Sequence, residues 1–235
     1  MAKKRTNTRT LERYLFQLEN KDLQAVYKWA YEELMRELEH FLFLNPEELT
    51  RTQIYRWNKL TALIEKLKVK TNQIITDRLD DVCTTVNKEV STVDWNLFTD
   101  MQAEAIVKAD FLGQTYSARI WQNLDAIKAR IEKDMIRLVI GGEYPHKLEE
   151  ALMKDFNVGY MEANRLIRTE ANRVFNSAAL NTYISEGVTR FGIDVTEDER
   201  LCESCKEFID KEFTIDTLPL LPDHPNCRCV YYALD

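Results

Sequence analysis

Four of the five cysteines stand in the last 34 residues, as Cys202-Glu-Ser-Cys205 and Cys227-Arg-Cys229, and His224 lies three residues ahead of Cys227. The spacing is C-x2-C, eighteen residues, then H-x2-C-x-C. Thiolates at i and i+3 turn inward on a tight loop, and the His224/Cys227 pair repeats that spacing from the other side. Together they offer soft and borderline donors suited to tetrahedral zinc. Cys227 and Cys229, two apart in an extended segment, point to one face, so Cys229 competes with His224 for the fourth place. The preferred set is Cys202, Cys205, His224 and Cys227, with Cys229 as the competing ligand. A core of reduced thiols or one disulfide is the alternative use of the same residues. A structural metal has a physical motive, because about 45 residues with little apolar mass rarely hold a fold unaided.

A catalytic metal needs an open coordination position and a nearby base. Five candidate donors predict a closed site, so no enzyme activity is expected. His40 and His146 have no paired spacing to recruit them, and Cys83 sits on a helical stretch as an ordinary buried thiol. The sequence contains no Gly-rich phosphate loop and no Gly-x-Ser-x-Gly elbow. Nothing supplies the paired acids or histidines of a two-metal hydrolase. No apolar run approaches the roughly 18 residues of a membrane span. Met1–Arg13 is basic but lacks the apolar core of a secretory signal, so synthesis in the cytoplasm is expected.

The elements that must position the cluster are mostly helices. The chain has 235 residues, of which 45% are hydrophobic and 30% charged, enough for a sizeable core in one or two domains. Only 6 glycines and 5 prolines leave few turns, which predicts a mainly α protein. Residues 1–13 form a basic arm with Lys3, Lys4, Arg5, Arg9 and Arg13 against Glu12. Residues 14–187 form an elongated helical bundle or hairpin. Its first helix runs from Leu11 to Leu44, with a break near Asn20 open. Asn45-Pro46 ends that helix, and Thr50 or Thr52 caps the next, which spans nearly forty residues. A third stretch covers 94–140 and stops at Gly141-Gly142. A short helix at about 147–156 is followed, after Asn157-Val158-Gly159, by another that ends at Gly187.

On that last helix Ala163, Ile167, Ala171, Val174 and Ala178 form one apolar stripe. Glu170, Ser177 and Asn181 lie along its edge and predict a hydrogen-bonded seam that holds the next module. Residues 188–235 form that small α+β Cys/His module, with strands near 188–195, 212–215 and 229–232.

The formal net charge is −7, from 32 basic and 39 acidic residues. Residues 194–235 carry 4 basic and 11 acidic side chains, so the module holds the whole excess and the helical body is neutral. The module is therefore the part least suited to phosphate and is suited to a basic partner. The arm could still touch DNA, together with Tyr14, Tyr55, Trp57 and Trp121, although their helical spacing favours core packing.

Arg168-Thr169-Glu170, then Asp198-Glu-Arg-Leu-Cys202-Glu-Ser-Cys205, then Leu218 through His224-Pro225-Asn226-Cys227-Arg228-Cys229 resemble the phage minor head, or head morphogenesis, proteins related to phage Mu protein F. The resemblance covers about residues 130–235. One departure is Asp210, where the family usually has Gly; Asp tolerates a left-handed turn better than most residues. The resemblance implies a low-copy virion component of the phage head, made in the bacterial host cytoplasm. Such proteins associate with the portal protein or the inner capsid and assist head assembly and DNA packaging or ejection. Related domains also stand at the front of phage-borne toxins, but only six residues follow Cys229, so no effector domain is expected. A DNA-binding ejection protein acting on the viral genome is the alternative, and a metal-dependent hydrolase a more distant one.

Overall fold

The computed structural model describes residues 9, 11–13, 21–42, 46–90, 100–141 and 145–235. Side-chain surroundings are described for all of these except 38–42, 46–57, 87, 100–101, 134–141 and 145–148. The described chain is mainly helical, as its low Gly and Pro content predicts. The helices are α1 (Lys21–Leu42), α2 (Pro46–Val90), α3 (Asp100–Lys108), α4 (Tyr116–Gly141) and α5 (Pro145–Ser185). They are followed by β1 (Phe191–Asp194), the short α6 (Glu203–Lys206), β2 (Glu212–Phe213) and β3 (Val230–Ala233).

Several boundaries differ from the sequence expectation. Helix α2 is 45 residues long and begins at Pro46 itself, so Thr50 and Thr52 lie inside it rather than capping it. Proline suits a first helical position, where its missing N–H has no partner to lose. The stretch expected as one helix over 94–140 is two. A tight reversal at Phe111–Gln114 separates α3 from α4, with Leu112 and Gly113 both at positive φ (54° and 83°) and the two end residues exchanging backbone bonds. Gly113 was the local signal for it, diluted by the apolar periodicity on either side. Conversely, α5 runs unbroken through Asn157-Val158-Gly159. A mid-helix Gly costs about 1 kcal/mol, which burial of Phe156, Ala163 and their neighbours outweighs. The possible break near Asn20 falls outside the described residues, as do the positions of Tyr14 and Lys3 to Arg5 and the side chains of His40, Tyr55, Trp57 and His146.

The chain divides into two compact units. One comprises Asn20–Ile74 and Ser117–Asn164. Here Leu23, Tyr27, Ala30 and Leu34 of α1 bury their apolar stripe, as do Leu60, Ile64 and Leu67 of α2 and Ile120, Leu124, Ile127 and Ile131 of α4. Tyr27 meets Tyr160 edge-on at 6.2 Å, and Lys68, nearly buried, is held by Asp125 and Glu65. Gly159 permits the tightest approach: a Cβ there would lie 2.1 Å from Ile127 Cδ1. Trp121, expected in a core, is 54% exposed.

The other unit comprises Met1–Glu19, Ile75–Tyr116 and Arg165–Asp235. Its core takes Leu79, Val82, Cys83 and Val86 from α2, and Ile167, Ala171, Val174, Phe175 and Ala178 from α5. The stripe of small residues predicted on α5 is buried throughout. Helix α5 then stops in a turn closed by Gly187 N–H to Ile184 O and Val188 N–H to Tyr183 O, with Gly187 at φ 79°. That pairing satisfies the last carbonyls and needs the left-handed residue that Gly supplies. The sheet follows, in order β2-β1-β3 and antiparallel throughout. Phe191 pairs with Phe213 on one side and Ala233 on the other, and Ile193 pairs with Tyr231.

Candidate metal centre

Cys202 caps the amino end of α6, and its sulfur accepts the N–H of Cys205 at 3.3 Å. This single turn folds both thiols to one side, as C-x2-C spacing requires. The left-handed residue expected at Asp210 is present, at φ 57°. His224 reaches the pair from the far end of the following loop. Its Nε2 lies 3.2 Å from Cys202 Sγ and 3.3 Å from Cys205 Sγ, while Nδ1–H donates to the Pro225 carbonyl at 2.9 Å. A carbonyl only accepts, so Nδ1 carries a proton and Nε2 is the ring nitrogen turned to the two thiols. Asn226 turns the chain at φ 61°, and Cys227 and Cys229 follow, both buried.

The donors fall into two groups that share Cys205. Cys202, Cys205 and His224 lie within 4.8 Å of one another, and so do Cys205, Cys227 and Cys229. All five sequence-predicted donors are thereby assembled around one sulfur, and such groups could hold a metal ion. A pocket of about 30 Å³ opens on Cys202, Cys205, His224 and Cys229, walled by Thr196, Arg200 and Arg228. That volume accommodates an ion or a water molecule. The same sulfurs are the core of the module: its buried cluster is Ile193, Cys205, Leu221, Cys227, Cys229 and Tyr231.

The protonation pattern fits a cation site. The Cys227 thiol is pulled down to about 5, first by the hydrogen bond from Cys229, against the cost of burial, with the N–H groups of Cys229 and Asp223 adding to it. Cys229 is pushed up because its proton is held on Cys227 and because it is buried. Burial, then the Cys227 charge, pushes Cys205 up to about 12. Burial pulls His224 down, but the Pro225 carbonyl and the neighbouring thiolates outweigh it and favour its cation. A metal ion bound here would displace the second ring proton of His224 and take over its charge pairing with the thiolates.

The motif residues on α5 hold this frame. Thr169 Oγ1 donates to the Arg165 carbonyl at 2.8 Å and accepts the Asn226 N–H at 3.1 Å, fixing the turn before Cys227. Glu170, 1% exposed, pairs with Arg173 at 2.7 Å. Arg173 in turn donates to the Ile106 and Val107 carbonyls, closing the open end of α3. Arg168 is half-buried on the same helix and Pro225 is exposed. Arg228 extends from between the two cysteines to Asp198, at 2.6 and 2.5 Å.

The seam that holds the module is not the expected one. Asn181 is exposed and Ser177 only half-buried. Asn172 and Asn176, both buried, make the contacts instead. Asn172 Nδ2 donates to the carbonyls of Cys227 and Cys229 at 3.0 and 3.1 Å, and Asn176 Nδ2 donates to the Cys229 carbonyl at 3.1 Å. Asn176 Oδ1 accepts the Tyr231 N–H at 2.9 Å. Two asparagines four apart in mid-helix were the available signal, since Asn is a poor helix former that prefers to bond backbone.

Among the described residues no helix is long and apolar enough to cross a membrane. No curated protein and no solved structure matches the chain. Residues 129–232 match the family described as Phage Mu protein F like protein, a segment that ends beyond Cys229 and contains the whole cluster and its α5 frame. Over these residues, a little under half of its length, the chain is similar to that family.

Proposed function

We propose that this chain is a phage minor head protein, a low-copy virion component that associates with the portal protein or inner capsid and assists head assembly and DNA packaging or ejection. The observation that carries the reading is the family match, which falls on the same residues that build the cysteine module. Within it the module is a structural element closed by zinc, held by Cys202, Cys205 and Cys227 with His224 or Cys229 in the fourth place. Three of the six buried residues in the module's core are cysteines, so the metal stands where apolar mass would otherwise be needed.

The protein acts as a binding and assembly component rather than an enzyme. The pocket beside the donors admits an ion. The carboxylates on its frame are engaged, Glu170 by Arg173 and Asp198 by Arg228, which leaves neither as a ready base. The acidic module presents a face for a basic partner.

Purified phage heads and a pull-down on portal protein test the assignment. The chain is expected in the heads, bound to portal or inner capsid protein. Its absence from both would overturn it.

A further inference from the structure

We propose that Arg228 couples metal occupancy of the cysteine module to docking of the segment Leu11–Arg13, making the module a metal-dependent clasp on the basic arm. The inference rests on the metal reading above and adds a consequence for a distant part of the sequence.

Arg228 stands between two candidate ligands, and its side chain is only 10% exposed. With consecutive Cα atoms about 3.8 Å apart, its position is set by Cys227 and Cys229 on either side. The guanidinium engages two separate segments. It binds both carboxylate oxygens of Asp198, and Nη1 also reaches Glu12 Oε1 at 2.9 Å. Asp198 belongs to the turn that leads into Cys202: its carboxylate accepts the Arg200 N–H at 2.9 Å and its carbonyl the Leu201 N–H at 3.0 Å. The two ligand-bearing segments are therefore strapped together by Arg228 as well as by any ion they share.

Glu12 lies within a short docked stretch. Leu11 is fully buried, and Arg13 pairs with Glu89 of α2 at 2.6 Å. The Arg228–Glu12 bond joins this stretch to the module across 216 residues of sequence. With the ion in place the Asp198 turn and the Cys227–Cys229 segment are held in register, and the guanidinium is aimed at both acids. Without it the module loses the centre of a core that is half cysteine. Arg228 then keeps no fixed geometry, and a loosely held pair with Glu12 contributes little.

Limited trypsin digestion of the full-length protein tests this, with cleavage after Arg13 read by mass spectrometry and zinc content measured on the same samples. Zinc-loaded protein, chelator-treated protein and the variant Glu12→Gln are compared. Chelation is expected to speed cleavage after Arg13 by about fivefold or more, the scale of losing one partly shielded ion pair and its local packing. Glu12→Gln is expected to retain its zinc yet cut at the faster rate, with little further gain on chelation. Equal rates with and without zinc would overturn the coupling while leaving the metal reading intact. A zinc-loaded Glu12→Gln protein as protected as the wild type would overturn the role of Arg228. Protein that neither retains nor takes up zinc would overturn the metal reading and the clasp with it.

Discussion

One side-chain amide, Asn172 Nδ2, donates to the carbonyls of both Cys227 and Cys229. The helix thus fixes the backbone of the second ligand segment from one point, and Asn176, one turn on, continues the contact to Tyr231. Asn172→Ala leaves two buried carbonyls short of a donor. Asn176 still serves the Cys229 carbonyl, so the Cys227 carbonyl is the one stranded, and a loss of about 1–3 kcal/mol is expected. Asn181→Ala, at an exposed position of the same helix, is expected to stay within about 0.5 kcal/mol. Urea unfolding of the two variants measures the difference; equal stabilities would contradict the seam.

Gly159 presents two opposed effects. Alanine is favoured over glycine within a helix by about 1 kcal/mol. The new Cβ, however, would stand 2.1 Å from Ile127 Cδ1 and 3.2 Å from a Tyr27 ring carbon. Overpacking of this kind costs typically about 1–3 kcal/mol. Ile127 is fully buried, and its Cγ1 and the Tyr27 ring carbon would also stand only 3.2 Å away, so Gly159→Ala is expected to lower the thermal midpoint. Adding Ile127→Val is expected to recover part of the loss. A rise in the midpoint of the single variant would show that propensity outweighs the clash.

Asp198 carries a pH signature. The Arg228 guanidinium holds its carboxyl well below the usual carboxylate range, with the Arg200 N–H adding to the effect and partial burial opposing it. A depressed carboxylate contributes stability above its unfolded pKa of about 3.9. That contribution is lost as pH falls through the lower folded value. Asp198 is therefore expected to titrate at lower pH than ordinary aspartates. Carbon-detected NMR titration of the carboxyl measures this. Arg228→Met is expected to return the titration toward the ordinary range, and an unchanged titration in that variant would contradict the pairing.

Helical class, the long second helix, the strand positions and the cysteine spacing were all legible in the sequence, because each rests on periodicity or on donor types that have few other uses. Asp210 was legible for a similar reason: Asp tolerates the left-handed φ that the structure shows there. Two features were not. The reversal at Leu112-Gly113 lies between two apolar patterns that run on in phase, and a bulky residue at positive φ has no propensity to announce it. The Asn172/Asn176 seam is hidden in the sequence because Glu170 lies at the edge of the apolar stripe yet pairs with Arg173, which closes the end of α3. Which polar side chain on a helix faces a later segment depends on how that segment packs, and periodicity alone does not report it.

The claim on which most depends is that the five assembled donors bind a metal. Native mass spectrometry of the full-length protein, purified without chelator, tests it most directly, with thiols counted on the same sample. The expected result is one zinc ion per chain, lost together with the folded state of the module when a strong chelator is added. A chain that carries no zinc, takes none up when it is offered, and keeps a folded C-terminal module with its cysteines free or disulfide-linked would contradict the account.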